Sequence, residues 1–174
     1  MKMQFTYNIF LIGFMGSGKS TVADYLCEKF DMDVVEMDQV IAERERMSIS
    51  DIFEKHGELY FRDLETKLLV ELQEKSNTVV SCGGGVAMRE CNVTEMKKNG
   101  KVVLLTAKPE TILKRVENNH DRPLLENNKT VAYIAELMEK RREKYEAAAD
   151  MIIETDGKSA QKICEEMIQR LGER

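Results

Sequence analysis

The chain has 174 residues, 43% of them hydrophobic, enough to enclose one hydrophobic core and close to the usual size of a single domain. Its net charge is −5, and no Lys/Arg-rich block stands out that could neutralise a phosphate backbone, so nucleic acid is not an expected partner. No charged-then-apolar leader is evident and the apolar run Ile9 to Ile12 is far too short for a bilayer, so a cytoplasmic protein without membrane association is expected.

Apolar runs that read as short buried strands end near Ile12, Glu36, Ser81, Thr106 and Thr155. Between them, apolar residues recur at helical spacing over residues 19–30, 38–46, 58–75, 89–99, 109–117, 130–148 and 159–171. Such alternation predicts an α/β fold with a parallel sheet. Several helix starts carry their own signal: Ser48 and Asp51 have capping-box spacing, Pro109 suits a first helical position, and Thr130 and Ser159 suit N-caps. The polar stretch 118–129 reads as a loop within one domain. Four cysteines lack a C-x-x-C pair, and with only two histidines no zinc spacing can be built. Reduced thiols packed as small hydrophobes are expected.

Residues 13–20 read GFMGSGKS, a complete G-x-x-x-x-G-K-[ST] pattern set between an apolar strand and a helical stretch. Gly13, Gly16 and Gly18 let successive N–H groups converge on phosphate oxygens, and the following helix adds its positive end. Lys19 brings a formal charge to the β and γ phosphates, and Ser20 offers a hydroxyl to Mg²⁺. ATP or GTP is therefore the expected ligand. A guanine-reading N-K-x-D is missing, since Asn128, Lys129, Thr130 and Val131 place no acid where it is needed.

Ligands of open α/β sheets sit beyond the C-terminal strand ends. There the second strand runs into Glu36, Met37 and Asp38, and strand alternation puts both carboxylates on one side. Asp38 reads equally as a helix N-cap or as the group that takes the proton of an attacking hydroxyl, with Glu36 supporting the metal. Gly83, Gly84 and Gly85 follow the third strand, either as a tight turn or as bare backbone open to a substrate.

Two arginines stand out by helical position. Phe61, Leu64, Leu68 and Leu72 form an apolar stripe that contains Glu65, a carboxylate in need of a partner, and Arg62 three residues earlier can supply it. In the helix over 130–148, Ile134, Leu137, Met138 and Tyr145 define the buried arc. Arg141 lies about 40° from its centre against about 60° for Arg142, at ~100° per residue, a slight margin, and a solvated helix face is the other reading of both Arg62 and Arg141. Arg122 precedes Pro123 and should project from an extended segment, which reads either as an ordinary surface loop or as one able to swing over a nucleotide.

Taken together, GFMGSGKS at 13–20, EMDQ at 36–39, FRDLE at 61–65, VSCGGG at 80–85, RPLL at 122–125 and Lys140-Arg141 before Tyr145 resemble the shikimate kinase family in order and spacing. The resemblance implies a three-layer P-loop fold, a five-stranded parallel sheet flanked by helices, with a substrate-binding segment about 37–62 and a mobile lid about 117–129. It implies a cytoplasmic, monomeric enzyme that uses ATP and Mg²⁺ to phosphorylate the 3-hydroxyl of shikimate. Gly13, Gly16, Ser17, Gly18, Lys19, Ser20 and Thr21 would hold the nucleotide's phosphates, with Arg115 near adenine. Ser20 and Glu36 would serve the metal, and Lys19 and Arg122 would stabilise the transferring phosphoryl. Asp38 would bind the substrate and act as base, and Arg62, Arg141 and Gly83 to Gly85 would hold the substrate. Glu36 departs from the family's usual Asp, whereas Ser81 agrees with it. Two other readings are a kinase for gluconate or a nucleoside monophosphate, which lacks a reason for Arg62, Arg141 and the glycines together, and a catalytically silent nucleotide-binding regulatory module, which has no need of Asp38 or Arg122.

Overall fold

The computed structural model describes residues 4–117 and 130–172. Among them, β1 (Asn8–Ile12), β2 (Asp33–Glu36), β3 (Thr78–Ser81), β4 (Gly100–Thr106) and β5 (Met151–Glu154) form a sheet in the order β2-β3-β1-β4-β5, with every pairing parallel. The helices are α1 (Lys19–Phe30), α2 (Met37–Glu45), α3 (Ile49–His56), α4 (Glu58–Glu71), α5 (Glu90–Lys98), α6 (Pro109–Val116), α7 (Val131–Ala148) and α8 (Ala160–Gly172). No helix among the described residues is long and apolar enough to cross a membrane.

The central strand explains the layering. All five residues of β1 are buried, because a parallel strand between two helical layers has no wet face. Its alternation sends Phe10 and Ile12 into a core shared with α2, α3, α4, α5 and α7, and Ile9 and Leu11 into a core shared with α1 and α8. A third apolar cluster, built on Phe14, Met15, Ile112, Val116 and Ile134, joins α6 and α7 to the loop after β1. The α/β sheet with helices on both faces is the predicted one, and the strand ends agree with the sequence to within a residue.

Local signals behave as expected at four starts. Ser48 Oγ accepts from Asp51 N at 3.1 Å, Thr130 Oγ1 from Tyr133 N at 3.1 Å and Ser159 Oγ from Lys162 N at 3.1 Å, while Pro109 opens α6. The sequence reading misses α3 as a separate helix although Ser48 announces it, and it runs α4 on to 75 where a 3-10 turn, Leu72–Glu74, takes over. None of the four cysteines is in a disulfide, but only Cys82 and Cys164 are packed as hydrophobes; Cys27 and Cys91 are exposed, against expectation.

What this arrangement places matters most. The connection leaving β1 runs through α1 on one face and the connection leaving β3 through α5 on the other, so a crevice opens between these adjacent strands at their C-terminal ends. Leu11 pairs with Ser81, and Cys82 N donates to Leu11 O at 3.0 Å, which sets the two following glycine-rich loops side by side.

Candidate active site

One wall of the crevice is the loop after β1. Gly13, Gly16 and Gly18 all have positive φ, at 146°, 81° and 102°, a region that side chains other than glycine's rarely enter. This curvature delivers the chain into α1 with Gly18 as its left-handed N-cap. Lys19, the first residue of α1, is buried, and its Nζ donates to Gly13 O at 2.8 Å and Phe14 O at 3.1 Å. The ammonium is thereby folded back over the loop whose N–H groups and helix end favour anions.

A cleft of about 450 Å³ runs from this loop. Gly16, Ser17, Gly18, Lys19, Ser20 and Thr21 line it on one side, and Glu36, Asp38, Ser81, Cys82, Gly83 and Gly84 on another. Arg115, Thr155 and Lys158 line the far end. Arg115 Nη1 donates to Gly16 O at 2.9 Å and Thr155 Oγ1 at 3.3 Å, so the sixth helix is tied both to the phosphate loop and to the end of β5. Burial pushes the Cys82 thiol far above its ordinary range, which leaves it inert.

Glu36 and Asp38 share the cleft, though not through strand alternation. The strand stops at Glu36, which is the N-cap position of α2, and Asp38 stands in the first helical turn. Asp38 is therefore not the N-cap that one reading of the sequence allowed. Its carboxylate reaches Gly83: a Cβ built there would lie 2.9 Å from Asp38 Oδ1 and 2.7 Å from Glu65 Oε2.

Behind this point sits the predicted ion pair. Arg62 Nη1 donates to Glu65 Oε1 at 2.9 Å, Nη2 reaches Glu58 Oε2 at 3.3 Å, and the guanidinium carbon lies 5.4 Å from the Phe61 ring and 5.8 Å from that of Phe53. Glu65 is 0% exposed. Burial raises its carboxyl to about 7 although Arg62 pulls the other way. Arg62 itself is raised: burial opposes its charge, and Glu65 and Glu58 outweigh that.

The choice between neighbouring arginines on α7 also has a structural outcome. Arg141 is 8% exposed, with its guanidinium carbon 5.8 Å from the Phe14 ring, and its Nη1 has no hydrogen-bond partner among the described residues. Arg142 has a side chain 57% exposed and paired with Glu139 at 3.0 Å and Glu146 at 3.3 Å. A buried guanidinium donor is costly until it meets an acceptor, which sets buried Arg141 apart from Arg142, a solvated surface group.

The triple glycine joins these groups. None of Gly83, Gly84 and Gly85 has positive φ, so no turn conformation demands them. Space does. A Cβ at Gly84 would lie 3.2 Å from Arg141 Nη1, and one at Gly85 would lie 2.4 Å from Arg62 Nη1 and 2.5 Å from Arg62 Cζ. Tyr145, one turn beyond Arg141, donates to Gly84 O. The glycines thus let Asp38, Glu65, Arg62 and Arg141 close on one short piece of backbone.

Most of the predicted site residues are assembled around this crevice: Gly16 to Thr21, Glu36, Asp38, Gly83, Gly84 and Arg115 on the cleft itself. Gly13 shapes the loop from beneath, and Arg62, Arg141 and Gly85 stand against the glycine turn rather than among the cleft's lining residues. Arg122 and the lid segment from residue 118 to 129 lie outside the described residues. Sequence reasoning passed over Thr155 and Lys158, yet Thr155 was marked as a strand end, and the strand-end rule used for Asp38 would have found it.

Comparison with known proteins points to one family. A family model described as shikimate kinase matches residues 15–172. A shikimate kinase of Sulfurihydrogenibium sp. is 44% identical over 167 residues, covering 96% of this chain and 99% of the relative. One from Persephonella marina is 44% identical over 164 residues, covering 94% and 98%. Among solved structures, the shikimate kinase from Acinetobacter baumannii in complex with shikimate superposes with a TM-score of 0.90 at 33% identity, covering 95% of this chain and 92% of that one.

Proposed function

We infer the reaction from one premise: this chain belongs to the shikimate kinase family and is an ATP-dependent kinase. It transfers the γ-phosphate of ATP to the 3-hydroxyl of shikimate, giving shikimate 3-phosphate and ADP. The observation that carries this reading is the convergence of Asp38, Arg62 and Arg141 on the Gly83–Gly85 turn, one strand away from the phosphate-binding loop.

The roles divide by chemistry. The N–H groups of residues 16–20 and the ammonium of Lys19 hold the triphosphate, and Arg115 sits toward the adenine end. Arg62 and Arg141 grip the substrate's carboxylate; a planar cation held on each side of one anion fixes the ring as well as binding it. With the carboxylate anchored, only one hydroxyl meets the γ-phosphorus, and regiochemistry follows from that distance. Asp38 accepts the hydroxyl proton as the new O–P bond forms and the bond to the leaving β-phosphate oxygen breaks. Lys19, together with Arg122, offsets the charge spread over the transferring group.

Ser20 and Glu36 are hard oxygen donors on the same cleft, and no cluster of three or more His, Cys, Asp or Glu among the described residues could hold a metal alone. That donor set fits Mg²⁺, which binds through one or two protein oxygens together with phosphates. When bound, Mg²⁺ supplies charge neutralisation on the phosphate oxygens. The whole chain acts as one kinase domain, a monomer in the cytoplasm, with its substrate-binding segment at about 37–62.

An ADP-release assay with shikimate, gluconate and AMP as rival acceptors tests the reading. Turnover should require shikimate. Equal or faster turnover with gluconate or AMP would transfer the chain to another acceptor, and ADP release with none of the three would make it a nucleotide binder.

A further inference from the structure

The glycine turn is braced from two helices, and the braces differ. On the α7 side, Tyr145 bonds Gly84 O directly and Lys144 Nζ donates to Met88 O at 3.1 Å. On the α4 side, a buried amide from a third helix intervenes. Asn92, in the first turn of α5, is 1% exposed; its Nδ2 donates to Val86 O at 2.8 Å and its Oδ1 accepts from Thr66 Oγ1 at 2.7 Å.

Chemistry fixes the direction of this chain of bonds. The Val86 carbonyl can only accept, so the amide nitrogen must face it and the amide oxygen must face Thr66. Two acceptors face the Thr66 proton, Asn92 Oδ1 at 2.7 Å and Arg62 O at 3.2 Å, and the shorter contact takes it; the hydroxyl oxygen is left to accept from Arg89 Nη1 at 3.2 Å, the same nitrogen that pairs with Asp63 at 2.9 Å. A buried amide is costly when unpaired and gives packing no advantage over a leucine of similar size. Its reason here is the bridge.

The bridge ends at two informative places. Val86 follows Gly85, whose missing Cβ is what admits the Arg62 guanidinium. Thr66 follows Glu65, the carboxylate that holds the same guanidinium at 2.9 Å. We infer that Asn92 is a positioning residue for the acceptor: by tying Val86 to Thr66 it sets the gap between the glycine turn and the Arg62–Glu65 pair in which the substrate's carboxylate is gripped. This inference rests on the reading of Arg62 as part of that grip. The phosphate loop has no part in the bridge, so nucleotide binding stays out of its reach.

The test removes the Thr66 hydroxyl, restores it, and then removes the Asn92 amide. Thr66→Val should raise KM for shikimate about tenfold, the worth of one buried hydrogen bond and its stranded partner, with KM for ATP unchanged and kcat little altered. Thr66→Ser, which restores the hydroxyl, should return KM to near wild type. Asn92→Ala should move KM for shikimate in the same direction and further. The inference is overturned if Thr66→Ser is as defective as Thr66→Val, if both substrates' KM values rise together, or if Thr66→Val lowers the melting temperature while KM for shikimate stays put. Failure of the underlying reading looks different: wild type would not phosphorylate shikimate, or Arg62→Ala would leave its KM unchanged.

Discussion

Two glycine-rich loops follow adjacent parallel strands and face one crevice, but the glycines in them answer different demands. In the loop after β1, Gly13, Gly16 and Gly18 are needed for dihedral angles, since all three sit at positive φ. In the loop after β3, Gly83 and Gly85 are needed for volume, since charged side chains from α2 and α4 come within 3 Å of where their Cβ atoms would stand, and Arg141 of α7 crowds Gly84 at 3.2 Å. The proposed nucleotide end is thus built of backbone and the proposed acceptor end of side chains pressed against backbone. A backbone site carries its shape in a contiguous motif. A side-chain site depends on distant elements arriving at one place, and each of its members should fail separately and touch only the acceptor.

The largest departure should come where the two ends meet. Asp38→Asn keeps a hydrogen-bonding group on the cleft and removes the proton acceptor, so kcat should fall by about 10²–10⁴ with KM for both substrates little changed. Unchanged turnover would take Asp38 out of the chemistry and break the division between the ends at its junction.

Arg62→Ala should come next. It removes one side of the carboxylate grip and strands Glu65, so shikimate binding should weaken by roughly 2–5 kcal/mol while ATP binding holds. Titration of each substrate by calorimetry separates the two. A loss confined to ATP would reverse the assignment of the ends.

How far the sequence disclosed this division follows from its physics. GFMGSGKS is legible because φ demands and phosphate chemistry fall on eight consecutive residues. Arg62 is legible because Glu65 lies inside an apolar stripe, a conflict that helical spacing alone reveals. Arg141 was separated from Arg142 by some 20° of helical arc at ~100° per residue, and burial sides with that choice. The reason for the triple glycine was out of reach, because what crowds Gly85 is a guanidinium from 23 residues earlier. Asn92 gave no signal at all, since a buried amide and an exposed one are written alike.

Glu65 gives a third contrast between the ends, one that pH can read. Its carboxyl is raised from 4.5 to about 7 by burial, so the folded protein holds a proton there that the unfolded chain has released. The associated stability is fully present below about 4.5 and lost as pH rises through about 7, a change of at most about 3 kcal/mol. Glu65→Gln cannot titrate and should flatten that part of the stability curve in denaturant titrations across this window. Parallel curves for wild type and variant would mean that Arg62 keeps Glu65 ionised throughout.

The smallest and sharpest effects should come from the glycines themselves. Gly16→Ala meets both obstacles of the first loop, a φ of 81° and a Cβ 2.8 Å from Val116 Cγ1, so it should destabilise the fold and raise KM for ATP by an amount worth about 1–3 kcal/mol. Gly85→Ala meets only one, because its φ of −98° and ψ of −1° suit alanine. The new methyl should displace Arg62 from Glu65 and raise KM for shikimate by a similar amount, with KM for ATP unmoved. Combining the changes decides whether volume is the cause. In an Arg62→Ala background the methyl has room, so Gly85→Ala should add little, whereas Gly16→Ala should keep its full effect because no guanidinium stands in its way. Full additivity of Gly85→Ala with Arg62→Ala would mean that the second loop, like the first, needs its glycine for the backbone.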